Sequence, residues 1–272
     1  MLLYLFLSKK CKNSNQNPVN LHLSIDGTII KRVRQAKFLG VTIDDQLSWK
    51  PHLELLNKKL KSACGRIYRI KNSLPESLHK LIYHTLFESH LSYGITVWGG
   101  VSNSNLDPLF KTQKKCIRIL FGDNEAFADK FKTCARCRPI DKQYLGSEFF
   151  AKESTKPLFK AHDLLSVHNL YKHRCIMELF KIIKYRLPIS LYELFNKSSR
   201  RDDLLITPAP SNNFVYKSAS LWNNFIGTCG RRDFITSSCY SIKSSVKKSL
   251  LAAQNEPEDA WCNNINNFGK FG

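Results

Sequence analysis

The sequence predicts a mainly α-helical fold: a small N-terminal antiparallel β-hairpin element, then a helical bundle, then a second helical region with a loop-rich tail. Three observations carry this. Apolar residues alternate with period two only near the start of the chain. From Trp49 onward they recur at the 3.6-residue period of amphipathic helices. Ser, Asn and Pro then concentrate over 198–236 and separate the last helices. The divisions that follow are a β element over 1–48, a bundle over 49–122, an irregular connector over 123–157 and a C-terminal region over 158–272.

Composition narrows the function classes. The 272 residues carry 42 Lys plus Arg against 22 Asp plus Glu, a formal net charge of +20. The excess is spread along the chain, with 24 cations against 12 acids in residues 1–150 and 18 against 10 in the rest. So basic a chain concentrates polyanions, which selects phosphate backbones or anionic lipid surfaces as natural partners and leaves a merely basic soluble protein as the plain alternative. No run approaches the roughly 18 apolar residues of a membrane span, and no membrane is expected as a partner. With 43% hydrophobic and 11% aromatic residues, disorder of the whole chain is excluded. Twelve Gly and ten Pro without a fixed period exclude a collagen-like or solenoid fold. Nine scattered cysteines, an odd number, fit reduced thiols in an intracellular protein. The opening MLLYLFL lacks the basic start and cleavage site of a signal peptide and reads as a strand or a cut end.

The elements follow in order. Leu21, Leu23 and Ile25 alternate with polar residues into Asp26-Gly27, a hairpin signal. A second run over 37–43 carries Phe38, Leu39, Val41 and Ile43 around Gly40, which permits a bulge or a close backbone approach, so three short strands are expected. After Trp49, Pro51 suits a first helical turn. Leu53, Leu56, Leu60, Ala63, Ile67 and Ile70 then share one helix face, with Lys58, Lys61, Arg66 and Arg69 pointing away. Ser73 and Glu76 have capping-box spacing and open a second helix to about Leu91, with Leu78, Leu81, Ile82 and Leu86 inward. A third helix from near Ser104 to Gly122 places Leu106, Leu109, Phe110, Gln113, Ile117, Leu120 and Phe121 on one stripe. Its other face holds Lys111, Lys114, Lys115 and Arg118, so packing the two stripes leaves both basic faces outward; a solvated charged face is the competing reading. The helix over 166–186 is apolar on several sides and ends at Pro188, and a last helix covers 242–253. Between them lie loops packed by aromatics and one short helix.

The familiar enzyme signatures are missing. There is no Walker-type loop, Gly-x-Gly-x-x-Gly, Gly-x-Ser-x-Gly or His-Glu-x-x-His. Two Asp-Asp pairs occur, Asp44-Asp45 at a strand end and Asp202-Asp203 in a loop, and both suit turns better than a two-metal site. Cys134-x-x-Cys137 is half a zinc site, but His162, His168, His173 and Cys175 downstream lack the matching short spacing, so no zinc is expected.

The order of signals carries a family resemblance: the hairpin, then KFLGVTIDDQLSWKPHLELLNKKL, LFESHLSYGITVWGG and LFKTQKKCIRILFG, and later TKPLFKAHDLLSVHNLYKHRCIMELFKIIKYRLPISLYELF and PAPSNNFVYKSASLWN. Nearly the whole chain resembles the part of non-LTR retrotransposon reverse transcriptases, the jockey-like LINE group, that lies downstream of the polymerase active site. The resemblance implies that the 1–48 element is a palm edge, with Phe38, Leu39 and Gly40 in the hairpin that grips the primer, and that 49–122 is a thumb-like bundle closing on template and primer. It places Lys58, Lys61, Arg66 and Arg69 against a nucleic-acid backbone; for Lys111, Lys114, Lys115 and Arg118 that contact is inferred from charge. Such polymerases use magnesium, held by aspartates that include an aromatic-x-Asp-Asp motif upstream of the FLG run, and the 37 residues before Phe38 contain none. Neither a catalytic residue nor a cofactor is therefore expected in these residues. The reading is a remnant of an RNA-directed DNA polymerase that binds RNA or DNA with little sequence preference and does not polymerise, with a polymerase palm and fingers as a further implied partner. A helical protein-interaction scaffold and a decayed reading frame without a selected role are the alternatives.

Overall fold

A computed structural model of the chain describes residues 23–30, 33–122, 155–195, 197–198, 201–205, 214–229 and 238–255. The architecture is mainly helical behind N-terminal hairpins, as the sequence predicts. The chain divides into two compact units, residues 1–58 and 59–272, and helix α1 (Lys50–Ile70) runs from the first into the second.

The first unit contains two antiparallel hairpins. Strand β1 (Leu23–Ile25) pairs with β2 (Thr28–Ile30) across Asp26-Gly27. Strand β3 (Gln35–Phe38) pairs with β4 (Val41–Asp44), with Phe38 opposite Val41. The reading of 37–43 as one strand is thereby corrected. The chain reverses at Leu39 and Gly40, which both have positive φ, 45° and 81°, as in the two-residue turns whose twist matches a hairpin. Gly40 enters that left-handed region without the Cβ clash that an L side chain meets, so the turn explains the glycine and no bulge is needed.

In the second unit α1 buries Leu60, Ala63, Cys64 and Ile67, the stripe its periodicity predicts. The following helical run departs from expectation. Its N-cap is Pro75 with no side-chain bond, so the Ser73–Glu76 capping box does not form. A 3-10 turn (Glu76–Leu78) leads into α2 (His79–Ile82), a π-helical turn (Tyr83–Glu88) and α3 (Ser89–Ser92). These tighter and wider turns break the uniform 100° step on which the expected stripe depended. His79, Ile82, Tyr83, Phe87 and Leu91 are buried, while Leu78 and Leu81 face solvent and Leu86 is half-buried.

Gly94, at φ 62°, starts α4 (Ile95–Trp98). Trp98 is wholly buried, and its indole N–H donates to the Tyr93 carbonyl at 2.9 Å. Helix α5 (Asn103–Phe121) buries Leu106, Leu109, Gln113, Ile117 and Leu120 and stops at Gly122 as expected. Helices α6 (Lys156–Ala161), α7 (Val167–Tyr185) and α8 (Ile189–Tyr192) follow. The Ser166 hydroxyl caps α7, accepting from the Asn169 N–H. Helix α7 is buried on several sides and ends where Arg186 turns left-handed, two residues before Pro188.

The tail carries more regular structure than its Ser and Asn content suggests. Strands β5 (Lys197–Ser198) and β6 (Arg201–Leu205) pair antiparallel, which places Asp202 and Asp203 on a strand rather than in a loop. Helix α9 (Phe214–Cys229) and helix α10 (Cys239–Asn255) complete the unit. The Asn223 amide bonds both backbone groups of Leu205, at 2.9 and 2.8 Å. Trp222, Phe225 and Ile226 of α9 pack with Ile176 and Phe180 of α7 and Val246 of α10 in one core.

Two buried glutamines fasten the segment that enters α7. Gln113 donates to the Tyr83 hydroxyl and the Leu165 carbonyl, each at 2.8 Å, and accepts from Val167 N at 2.9 Å. Gln254 accepts from Ser166 N and donates to the Leu164 carbonyl. The readings made for MLLYLFL, Leu21, nearly all of the connector, the Cys134-Cys137 pair and the last residues lie outside the described residues.

Candidate nucleic-acid interface

On α1, Lys58, Lys61, Arg66 and Arg69 are all exposed. Glu54 is the only carboxylate in this helix. Among the described residues none of the four cations is ion-paired; the Arg66 guanidinium instead donates to the Ser62 hydroxyl at 3.1 Å. Glu54 lies one turn before Lys58, so on this helix only the Lys58 end of the row has an acid near enough to offset its field, and Lys61, Arg66 and Arg69 do not.

The cations of α5 are arranged differently. Lys111 is exposed, while Lys114, Lys115 and Arg118 are half-buried. The Lys114 ammonium sits 4.2 Å from the centre of the Phe110 ring. Burial lowers the proton affinity of Lys115, and the positive charge of Lys61 adds to that effect. The basic face expected to stand outward is thus partly laid along the protein. Helix α5 also buries Thr112, Cys116 and Ile119, so its apolar arc is wider than the predicted stripe and leaves a narrow polar edge. The Cys64 thiol donates to the Thr112 carbonyl at 3.9 Å, which sets α1 against α5 and brings Lys61 near Lys115.

In the first unit, Phe38 and Leu39 form the tip of the β3–β4 hairpin and are 62% and 75% exposed. Both apolar side chains face solvent at the turn rather than a core. The base of this hairpin is tied to the start of α1. Both Asp44 carboxylate oxygens accept backbone N–H groups, from Ser48 and Trp49, each at 3.0 Å. His52 Nδ1 accepts from Thr42 N at 3.3 Å. Burial raises the Asp44 pKa, but the Ser48 and Trp49 donors outweigh it and hold the carboxyl below its ordinary value. The run from Asp44 to His52 is therefore a hairpin-to-helix joint, which agrees with the turn role read for Asp44 and adds His52, whose backbone partner no sequence pattern marks. Replacing Asp44 with alanine is expected to lower stability by about 1–2 kcal/mol, read as a shift of the urea midpoint.

Among the described residues no group of three or more His, Cys, Asp or Glu could hold a metal ion. His162 stacks on Phe121 at 3.8 Å, and His168 meets Phe110 edge-on at 5.3 Å. His173 and Cys175 are buried in α7. Burial pushes the Cys175 thiol up to about 12, so it stays protonated at neutral pH. Among the described cysteines Cys64, Cys116, Cys175 and Cys239 are free thiols. Among the described residues, no helix is long and apolar enough to cross a membrane.

Part of the chain is similar to RNA-directed DNA polymerases of non-LTR retrotransposons. The chain is 24% identical over 107 residues to the probable RNA-directed DNA polymerase from transposon BS of Drosophila melanogaster, covering 38% of this chain and 12% of that protein. It is 25% identical over 121 residues to the RNA-directed DNA polymerase from mobile element jockey of the same organism, covering 42% of this chain and 13% of the relative. The matched stretch is thus a small part of either polymerase. No protein-family model matches the chain, and no solved structure matches it.

Proposed function

We propose that these residues form a nucleic-acid-binding segment derived from a reverse transcriptase, which holds RNA or DNA through its backbone and does not itself join nucleotides. The observation that carries the reading is the row of exposed cations on α1, Lys58, Lys61, Arg66 and Arg69, on a helix with a single acidic residue. Phosphate contacts of this kind position a strand without reading its sequence. Lys111 extends the basic surface from α5, and Phe38, Leu39 and Gly40 at the hairpin tip supply a separate contact. The non-catalytic half of the proposal is supported by Asp44, whose oxygens are occupied by backbone donors rather than free to hold a metal.

The test is a salt titration of binding to a mixed-sequence duplex. Wild-type affinity is expected to fall linearly on a log–log plot. Changing Lys58, Lys61, Arg66 and Arg69 together to Gln is expected to reduce that slope by about 3 to 4, because each lost phosphate contact removes nearly one released counterion. The circular dichroism spectrum stays unchanged, since all four side chains lie outside the core. An unaltered slope removes the assignment, and primer extension by the purified chain removes the non-catalytic half. A protein-docking scaffold is the second reading, favoured by exposed Tyr185, Leu187, Ile189 and Leu194 around α8. It is distinguished by nucleic-acid binding that is absent at every ionic strength.

A further inference from the structure

Gly65 lies in the interior of α1, where glycine costs about 1 kcal/mol relative to alanine. Two ordinary reasons for such a residue are missing. Its φ is not positive, so the backbone does not demand glycine. A Cβ built on it meets nothing within 4 Å, so no helix or side chain among the described residues requires the space. The opening faces the cations: Lys61, Gly65 and Arg69 are spaced i, i+4 and i+8, one face of a helix, and Arg66 adjoins them. At 1.5 Å per residue, Lys61 and Arg69 stand about 12 Å apart along the axis, with the gap in long side chains centred on Gly65.

We propose that Gly65 is the point where the sugar–phosphate backbone of a bound nucleic acid passes over α1, with Lys61 on one side and Arg66 and Arg69 on the other. A glycine there lets a ligand backbone approach the helix more closely than any side chain permits, and closer approach strengthens each flanking charge contact because Coulomb energy rises as distance falls. The inference rests on the binding role of α1 and adds to it a residue that carries no charge and would be invisible to any search for cations.

The experiment compares Gly65→Ala, Gly65→Leu and the fourfold Gln variant in duplex binding at fixed low salt, with thermal unfolding measured in parallel. Both Gly65 variants are expected to unfold at higher temperature than the wild type, because each residue is a better helix former than glycine. Both nevertheless bind more weakly, about twofold for Ala and at least fivefold for Leu. A stabilised protein that binds less well is an outcome that misfolding cannot produce. Wild-type affinity in both variants, with the fourfold variant still impaired, overturns the role of Gly65 and leaves the basic face intact. Wild-type affinity in all three overturns both.

Discussion

Replacing Gln113 with leucine lowers the unfolding free energy by about 3–5 kcal/mol. The side chain is completely buried at the crossing of three segments. Its amide donates to the Tyr83 hydroxyl and the Leu165 carbonyl and accepts from the Val167 N–H. Leucine has nearly the same volume, so little cavity forms. The cost is electrostatic: a carbonyl, an amide N–H and a phenol lose partners in a place water does not reach, at roughly 1–3 kcal/mol for each group left unsatisfied. The three are not additive, because the phenol oxygen loses only an accepted hydrogen bond and its own O–H donor is untouched. Urea unfolding at neutral pH reads the effect as a lower midpoint at unchanged slope. A midpoint within experimental error of the wild type would mean that the network does not hold α7 against α5.

Gln113 also shows where sequence reading stopped. The periodicity of α5 places it on the buried stripe, and it is buried, but a 3.6-residue pattern cannot say what a polar residue is doing there. Its partners lie 30, 52 and 54 positions away. Local signals performed well where the cause is local: the Asp-Gly hairpin, the stripes of α1 and α5, the stop at Gly122 and the multi-sided burial of α7. They failed where backbone geometry departs from the regular period. Leu39-Gly40 looked like a strand interior because apolar residues flank it, whereas the positive φ values make it a turn. Leu78 and Leu81 were expected inside because the pattern assumed an unbroken α-helix, and the 3-10 and π-helical turns shift the face to Tyr83 and Phe87. At the candidate interface, the exposed cations of α1 were legible because a long apolar stripe fixes the opposite face. The half-burial of Lys114, Lys115 and Arg118 was not, since it depends on how deeply α5 sits against other helices.

Acid should unfold this protein through His173. The residue is 6% exposed in α7, and neither ring nitrogen has a hydrogen-bond partner among the described residues. Burial is the main reason its pKa falls from 6.5 to about 4, and the positive charges of Arg174 on the same helix and of Lys243 and Lys247 on α10 push the same way. The Lys243 backbone lies near enough to the ring to favour its charged form, without the geometry of a regular hydrogen bond, and offsets this only in part. Because the folded-state pKa is depressed, the unfolded chain takes up a proton first as the pH drops. Stability attached to this residue is complete above about pH 6.5, is lost as the pH falls from there toward 4, and stays lost below. A difference of that size corresponds to about 3 kcal/mol. His168, also shifted down by burial, adds to the loss over the same direction of titration. Carboxylates titrate in this range as well, so the informative quantity is the comparison with His173→Leu. That variant keeps an apolar side chain of similar bulk, removes two unpaired nitrogens and cannot be protonated. Between pH 7.5 and pH 4.5 its urea midpoint is expected to fall distinctly less than that of the wild type. Equal pH dependence in the two proteins would show that the imidazole is hydrated or paired in solution, and that α7 and α10 do not close over it as the structure describes.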